Sequence, residues 1–244
     1  MDIVYICRNG ENEELRYSIR SVVANLPHSN IWLVGGKPDW YTGNFIPYQN
    51  KAASKFENIR LAHYPIIDCA EISDNFILMN DDFFILQPME SLEVVHGGLL
   101  EDKVAEYASL SPASAYTRLL RNTHTELLRK GIRQPIDYDI HVPMPMDKKG
   151  LATVLKSRNL PRSLYGNTVN LGGTKIKDVK TYSPREALYS RNHNFKDSDL
   201  PFVSSQDSSF EILKRDLLEE MFPDPSIYEV PLVGIEPTTH RLEV

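Results

Sequence analysis

The sequence predicts an α/β protein with a mostly parallel sheet and a helical middle segment. Three observations predict this class. The chain opens with an apolar strand, an amphipathic helix and a second apolar strand, and a further apolar strand runs directly into Asn-Asp-Asp at residues 80–82. Helical patterns then dominate residues 99–160. A strand, helix and strand at this spacing are typical of a parallel crossover unit.

The first unit is the clearest part of the pattern. Residues 3–7 are apolar throughout, as in a strand that is buried on both faces. Residues 13–26 place apolar side chains at helical spacing, and Pro27 ends that helix. Residues 31–34 form a second apolar run, which Gly35-Gly36 closes. We therefore expect two neighbouring parallel strands joined by a helix.

The later elements are assigned from periodicity and capping signals. Residues 39–62 are rich in Asn, Lys, Tyr and Gly, so a loop is expected there. The remaining predicted elements are a strand at 76–79 followed by an apolar run at 83–86, and helices at 111–130, 147–157 and 208–221.

Length and composition favour one domain. With 244 residues, of which 41% are hydrophobic, the chain can bury one substantial core. We expect a single domain over residues 1–232, with a helical subregion at about 99–160 and a tail at 233–244. The first residues lack a signal-peptide pattern, and no apolar run reaches the ~20 residues of a membrane span. A cytoplasmic protein is expected.

The charge distribution favours an anionic small ligand over a nucleic acid. The formal net charge is −6, which is unlike a nucleic-acid-binding domain. Residues 118–180 nevertheless contain 13 Lys and Arg against 5 Asp and Glu. A basic middle in an acidic chain suits an anionic ligand, and a solvated helix face is the alternative.

The Asn-Asp-Asp segment is the strongest candidate for a metal site. Asp81 and Asp82 lie between two apolar runs, where unpaired buried charge would cost several kcal/mol. A divalent cation would remove that cost, and carboxylate oxygens suit Mg²⁺ or Mn²⁺. The carboxyl end of a strand is also where open α/β sheets bind ligands. A surface turn is the alternative interpretation.

Three cationic or titratable side chains are further candidates. Arg16 and Arg20 share one helix face and could hold phosphate oxygens, or could pair with Glu13 or Glu14 on a solvated face. His141 precedes two prolines that keep its segment extended, and it could serve as a general base or be structural.

Arg162 lies in a turn-rich stretch of the basic middle. Its guanidinium could neutralise charge on a transferring phosphoryl group. An ordinary arginine on a surface loop is the alternative.

Segments in four ordered blocks resemble one known family. They are residues 2–5 (DIVY), 14–21 (ELRYSIRS), 36–40 (GKPDW), 74–84 (DNFILMNDDFF), 141–143 (HVP), 161–163 (PRS) and 222–229 (FPDPSIYE). Together they resemble the Stealth family of hexose-1-phosphate transferases. Members of this family are found in capsule polysaccharide biosynthesis, and the lysosomal-enzyme GlcNAc-1-phosphotransferase contains a Stealth region.

The resemblance implies a fold, a reaction and a set of roles. The fold would be a Rossmann-like, glycosyltransferase-A-like version of the α/β class that binds a nucleotide sugar. The enzyme would move a sugar-1-phosphate from a UDP-sugar donor such as UDP-GlcNAc to a glycan or other hydroxyl acceptor, and release UMP. The implied roles are metal binding by Asp81 and Asp82, catalysis by His141, Asp82 and Arg162, and substrate binding by Asn9, Asn80, Arg16 and Arg20.

The chain also departs from the family pattern. Asn9 stands where family members have their first aspartate, and the usual insert before the first helix is missing. Two other functions therefore stay open: a metal-dependent glycosyltransferase that releases UDP, and a non-catalytic protein that binds a sugar nucleotide or glycan. The sequence predicts no oligomeric state.

Overall fold

A computed structural model describes residues 1–49, 54–183 and 200–230 of the chain. Its elements are, in order, β1 (Asp2–Cys7), α1 (Glu13–Asn25), β2 (Ile31–Gly35), β3 (Asn44–Pro47), α2 (Lys55–Ala62), α3 (Tyr64–Asp68), β4 (Asn75–Met79), β5 (Phe83–Ile85), β6 (Val95–His96), α4 (Leu100–Leu110), α5 (Ala115–Arg129), β7 (Met144–Asp147), α6 (Lys148–Val154), α7 (Pro161–Thr168), β8 (Thr174–Lys175), β9 (Phe202–Ser204), α8 (Phe210–Leu213), a π-helical turn (Lys214–Leu218) and α9 (Glu219–Met221). The predicted tail at 233–244 lies outside the described residues.

The central sheet has five strands in the order β3-β2-β1-β4-β7. The strands β3, β2, β1 and β4 are parallel, whereas β7 is antiparallel to β4. The predicted α/β class with a mostly parallel sheet is confirmed.

Both faces of this sheet are covered, as the apolar strands require. Ile3 and Tyr5 of β1 enter one hydrophobic cluster together with α1, whereas Val4 enters a second cluster with the helices that follow β4. All three residues are fully buried. Alternate side chains of a strand point to opposite faces, so a strand covered on both faces has apolar residues at every position.

The loop predicted over residues 39–62 is wrong. It contains the edge strand β3 and the helix α2, whose N-terminus is capped by the Ser54 hydroxyl, which accepts from the backbone N–H of Glu57. An edge strand needs only one pairing partner, so the polar composition of this stretch tolerates it.

The single helix predicted over residues 111–130 is also wrong at its start. Ser114, not Ser111, caps α5 by accepting from the backbone N–H of Thr117 at 3.0 Å, and the separate helix α4 ends at Leu110. The turn-rich stretch around Arg162 forms the helix α7, with Pro161 in its first turn. Proline at that position loses no helical hydrogen bond, which explains why a loop-like sequence starts a helix.

Within the described residues, no helix is long and apolar enough to cross a membrane.

Candidate active site at the switch point of the sheet

The site lies where the strand order of the sheet reverses. From β1 the chain moves outward to β2 and β3, and then returns to place β4 on the other side of β1. Ligands of open α/β sheets bind in the crevice outside the carboxyl ends of the strands at such a point. Asn9 follows the end of β1, and residues 80–82 follow the end of β4. The fold therefore brings these two predicted segments to the same edge.

Two glycines let the end of β2 pack directly against the end of β1, beside the crevice. Gly35 has a φ of +115°, and a Cβ there would collide with the carbonyl oxygen of Cys7. A Cβ at Gly36 would collide with the backbone of Arg8. Only glycine permits this close approach. The cleft at this edge, which we call the sheet-end cleft, has a volume of about 1010 Å³, and its lining includes Asn9, Asn80, Asp81 and Asp82.

Asp81 is held by the residue that starts α1. Asn12 donates from Nδ2 to the Asp81 carboxylate at 2.6 Å, while its own Oδ1 accepts from the backbone N–H of Leu15 and caps the helix. Burial raises the pKa of Asp81; the hydrogen bond from Asn12 opposes that shift, and repulsion from Asp82 adds to it. The carboxyl therefore gains from any positive charge placed beside it.

Asp82 faces a lysine from a distant part of the chain. The Lys180 ammonium lies 3.3 Å from the Asp82 Oδ2, and the Ser204 hydroxyl lies 3.4 Å from the same oxygen. Only 17% of the Asp82 side chain is exposed. The carboxylate is therefore paired with an ammonium and partly accessible, which leaves its oxygens able to bind a further cation.

A third carboxyl lies near this pair. Glu14 is buried on α1, accepts from the Ser205 hydroxyl at 2.9 Å and lies 3.8 Å from the Arg8 guanidinium. Burial raises the pKa of Glu14 to about 7, and repulsion from Asp81 and Asp82 adds to the effect of burial.

These carboxyls fit the chemistry of a hard divalent cation. No group of three or more His, Cys, Asp and Glu side chains is arranged to hold a metal ion in the part of the chain that the structure describes. Mg²⁺, however, typically binds through one or two carboxylates together with substrate phosphates and water. Asp81 and Asp82 supply such a pair of carboxylates, so these residues fit the predicted Mg²⁺ or Mn²⁺. Metal binding itself remains a prediction.

His141 lies on a bend just before β7 and is oriented by Asp178. Its Nδ1 lies 2.9 Å from both Asp178 carboxylate oxygens, and its backbone N–H bonds to the same carboxylate at 3.2 Å. An ionised carboxylate only accepts, so Nδ1 carries the proton and Nε2 is the basic nitrogen. Nε2 makes no hydrogen bond within the described residues. This arrangement presents a base to the adjoining cleft.

Asp178 is ionised as a consequence of its surroundings. Burial alone would raise its pKa, but attraction and hydrogen bonds from His141, together with the Lys103 ammonium at 3.7 Å, hold the pKa well below its ordinary value. Asp178 therefore stays negative across the working pH range and fixes the His141 ring.

Arg162 is partly buried, and one buried nitrogen of its guanidinium lacks a partner in the described part of the chain. Its Nε donates to the Tyr138 carbonyl at 3.1 Å and its Nη2 to the Val142 carbonyl, whereas Nη1 has no partner among the described residues. Burial lowers the pKa of Arg162, and the nearby carboxylates, Asp139 foremost, oppose that effect. A buried guanidinium with an unused donor has a strong preference for an anionic acceptor.

The catalytic candidates share a second cleft. This cleft, of about 470 Å³, is lined by Asp82, His141, Arg162 and Lys180, and we call it the histidine cleft. The two clefts meet at the end of β4 and share six lining residues: Ile6, Lys55, Ile59, Asn80, Asp82 and Lys180. The structure thus brings Asp82, His141 and Arg162 together from three separated stretches of sequence.

Arg16 and Arg20 occupy a different place. They do lie on one face of α1, but both guanidiniums bind the fully buried carboxylate of Glu229: Arg16 Nη1 at 2.9 Å, Arg20 Nε at 2.8 Å and Arg20 Nη2 at 2.8 Å. Neither lines the two clefts. Their predicted phosphate contacts are not supported by this geometry, and their partner is neither Glu13 nor Glu14.

Sequence analysis missed five residues of the site. Asn12 had a usable signal, since asparagine directly before a helix is a common cap. The others become neighbours of the site only through tertiary folding, and nothing in their local sequence marks them: Glu14, Asp178, Lys180 and Ser205.

No protein-family model and no curated protein matches the chain. Among solved structures, the galactosyltransferase LgtC in complex with donor and acceptor sugar analogues is similar to 95% of this chain over 98% of its own length, with 10% identity and a TM-score of 0.48. The glycosyltransferase GlyE of Streptococcus pneumoniae TIGR4 is similar to 86% of this chain over 55% of its own, with 12% identity and a TM-score of 0.44.

Mouse xyloside xylosyltransferase 1 in its apo form is similar to 94% of this chain over 96% of its own, with 7% identity and a TM-score of 0.33. All three are glycosyltransferases, but at TM-scores below 0.5 we draw nothing about activity from them. The Stealth resemblance therefore rests on the quoted segments alone.

Proposed function

We propose that the protein transfers a sugar-1-phosphate from a UDP-sugar to a hydroxyl acceptor and releases UMP. The observation that carries the proposal is the meeting of two clefts at Asp82. The sheet-end cleft opens at the switch point of the sheet, where a nucleotide would bind. The histidine cleft contains His141, which Asp178 orients, and Arg162, whose Nη1 has no hydrogen-bond partner among the described residues.

In the proposed reaction, the acceptor hydroxyl oxygen attacks the sugar-proximal phosphorus of the donor. The new phosphorus–oxygen bond forms as the bond from that phosphorus to the bridging oxygen breaks, and UMP leaves with the bridging oxygen. The sugar keeps its anomeric bond. His141 Nε2 takes the acceptor proton, because Asp178 holds the opposite ring nitrogen protonated. Asp178 therefore acts as a positioning residue.

Charge develops on the phosphoryl oxygens and the leaving phosphate during this reaction. Arg162 Nη1 supplies a buried donor for one such oxygen, and Lys180 supplies a cation beside Asp82. Asp81 and Asp82 would hold a Mg²⁺ or Mn²⁺, which neutralises diphosphate charge when bound. Asn9 and Asn80 line the sheet-end cleft and are proposed to bind the donor there.

The direct test identifies the released nucleotide. The protein would be incubated with UDP-GlcNAc and other UDP-hexoses, MgCl₂ or MnCl₂ and mixed glycan acceptors, and nucleotides would be separated by chromatography. We expect acceptor-dependent UMP that disappears with EDTA and in Asp82→Ala. Glu90→Ala, an exposed site outside both clefts, is the control variant.

Two outcomes would overturn the proposal. Acceptor-dependent UDP would mean glycosyl transfer, in which the anomeric bond breaks instead. Binding of UDP-sugars without release of either nucleotide, across the whole acceptor panel, would mean a binding protein.

A further inference from the structure

The histidine cleft is also lined by an aromatic cluster, which we define as Phe56, Tyr107, Tyr116 and Tyr182. All four rings line the cleft and are partly buried. The ring centroids of Phe56 and Tyr116 are 6.1 Å apart with nearly parallel planes, and Tyr107 meets Tyr116 edge-on at 5.0 Å. Mutual contacts fix three of these rings before any ligand arrives.

The hydroxyl groups of this cluster are available for bonding. Those of Tyr107, Tyr116 and Tyr182 make no hydrogen bond within the described residues, and none is among the buried atoms that lack a partner. The cluster therefore offers apolar ring surface and accessible donors side by side. Sugars need this combination, because a pyranose has apolar C–H faces and a rim of hydroxyls.

Two exposed cations lie at the same end of the cleft. Lys55 and Arg158 both line it, and the Lys55 ammonium lies 5.3 Å from the Phe56 ring centroid. Lys180 and Arg162 line the same cleft, as do the carboxylates Asp82 and Asp139. Lysine and arginine side chains therefore outnumber carboxylates on this lining by four to two, which favours an anionic ligand.

From this geometry we infer that the aromatic cluster, with Lys55 and Arg158, is the acceptor subsite and takes a carbohydrate that carries a carboxylate or phosphate group. The inference rests on the proposed function, because it assigns the acceptor of that reaction. The sugar packs on the rings, its anionic group lies near Lys55 and Arg158, and its reactive hydroxyl points toward His141. The donor then occupies the sheet-end cleft.

The test compares oligosaccharides that differ in charge. Binding would be measured by calorimetry in the absence of donor. The acidic ligands would be a hyaluronan tetrasaccharide, which carries carboxylates, and phosphorylated oligomannosides; their neutral counterparts would be chitotetraose and unmodified oligomannosides. We expect at least one acidic member to bind more tightly than its neutral counterpart. The double variant Lys55→Glu, Arg158→Glu should bind the acidic oligosaccharide about tenfold more weakly. Its affinity for the neutral oligosaccharides should be unchanged.

The variants separate ring contact from charge. Tyr116→Ala should weaken acidic and neutral members alike, whereas Tyr116→Phe should keep most of the affinity, since the ring remains. Arg121→Glu, an exposed charge reversal on α5 outside the cleft, is the control. Equal binding of acidic and neutral members, no binding by any member, or no effect of the double reversal would overturn the inference.

Turnover distinguishes this inference from the proposed function. If UMP is released and the acceptor KM is the same in the double reversal as in the parent, the subsite is wrong and the reaction stands. If acidic glycans bind in a Tyr116-dependent way but no nucleotide is released, the glycan site stands and the proposed reaction fails.

Discussion

At the residue scale, the proposed role of His141 as a base rests on the contacts that orient its ring. The Asp178 carboxylate accepts from Nδ1 and leaves Nε2 as the base in the histidine cleft. Removing a general base typically costs 10²–10⁴-fold in rate. We expect His141→Ala to lower kcat by this range in the nucleotide-release assay. His124→Ala, a histidine outside both clefts, is the control; a loss of less than about threefold in His141→Ala would refute its role as base.

Asp178 should affect turnover without changing donor binding. Asp178→Asn keeps the size of the side chain but removes the negative charge that stabilises protonated His141. An asparagine amide can donate to Nδ1 and thereby favour the tautomer that is protonated on Nε2, so we expect kcat to fall about 10²–10⁴-fold, with little change in the KM for the UDP-sugar. Asp102→Asn, on an exposed helical surface, is the matched control. A rise in the donor KM with unchanged kcat would contradict a positioning role.

The local sequence around these residues explains which of them could be predicted. Asp81 and Asp82 stood out because two carboxylates between apolar strands need compensation. Asp178 and Lys180 lie in a short polar stretch with no such conflict, and only the folded chain places them beside His141 and Asp82. The polar pairs His141–Asp178 and Asp82–Lys180, which join distant segments, therefore could not be predicted from the sequence.

At the element scale, Glu229 links the segment that follows α9 to the helix α1. Its buried carboxylate binds both Arg16 and Arg20. Breaking one partner of a buried ion pair typically costs about 3–5 kcal/mol. We expect Glu229→Gln to lower the free energy of unfolding by about this amount in urea titrations. Glu220→Gln, which is exposed, should change it by less than about 0.5 kcal/mol.

This ion pair also has a pH signature. Burial would raise the pKa of Glu229, but Arg20, the Ser226 backbone and Arg16 lower it below its ordinary value of 4.5. The stabilisation is therefore present above 4.5 and is lost as pH falls through the lowered pKa. Acid unfolding followed by circular dichroism should show a smaller pH dependence in Glu229→Gln. An unchanged acid limb would contradict this.

The elements themselves were predictable where the sequence pattern was strong. The unit β1-α1-β2 and the strand β4 follow their predicted positions, because apolar residues at each strand position have no other stable placement. β3 and the start of α5 were not predictable by the same means. An edge strand and a competing serine cap depend on neighbours and on small differences in hydrogen bonding.

At the scale of the whole molecule, the sheet-end cleft places acid groups where burial disfavours their charge. Burial raises the pKa of Glu14 to about 7 from 4.5. Between those values the folded state binds more protons than the unfolded state, so stability should fall as pH rises from 4.5 to 7. Calorimetry should show a weaker decline in Glu14→Gln. Glu11→Gln, at an exposed position, should behave as the parent.

The same cleft should respond to divalent cations. A ligand that binds only the folded state raises its stability, and protons compete for the same carboxylates. We expect MgCl₂ to raise the Tm more at pH 7.5 than at pH 5, and Asp82→Asn to lose this effect. If MgCl₂ or CaCl₂ raises the Tm of Asp82→Asn as much as it raises the Tm of the parent, metal binding at Asp82 is contradicted.

The meeting of the two clefts at the end of β4 has a consequence for the order of events. Six residues line both clefts, Asn80, Asp82 and Lys180 among them, while each cleft also has lining residues of its own. In the proposed reaction, donor and acceptor would occupy different clefts, so UMP would leave from the sheet-end cleft while the product stays in the histidine cleft. Under that proposal, a product that keeps a reactive hydroxyl would be able to accept a second sugar-1-phosphate before it dissociates.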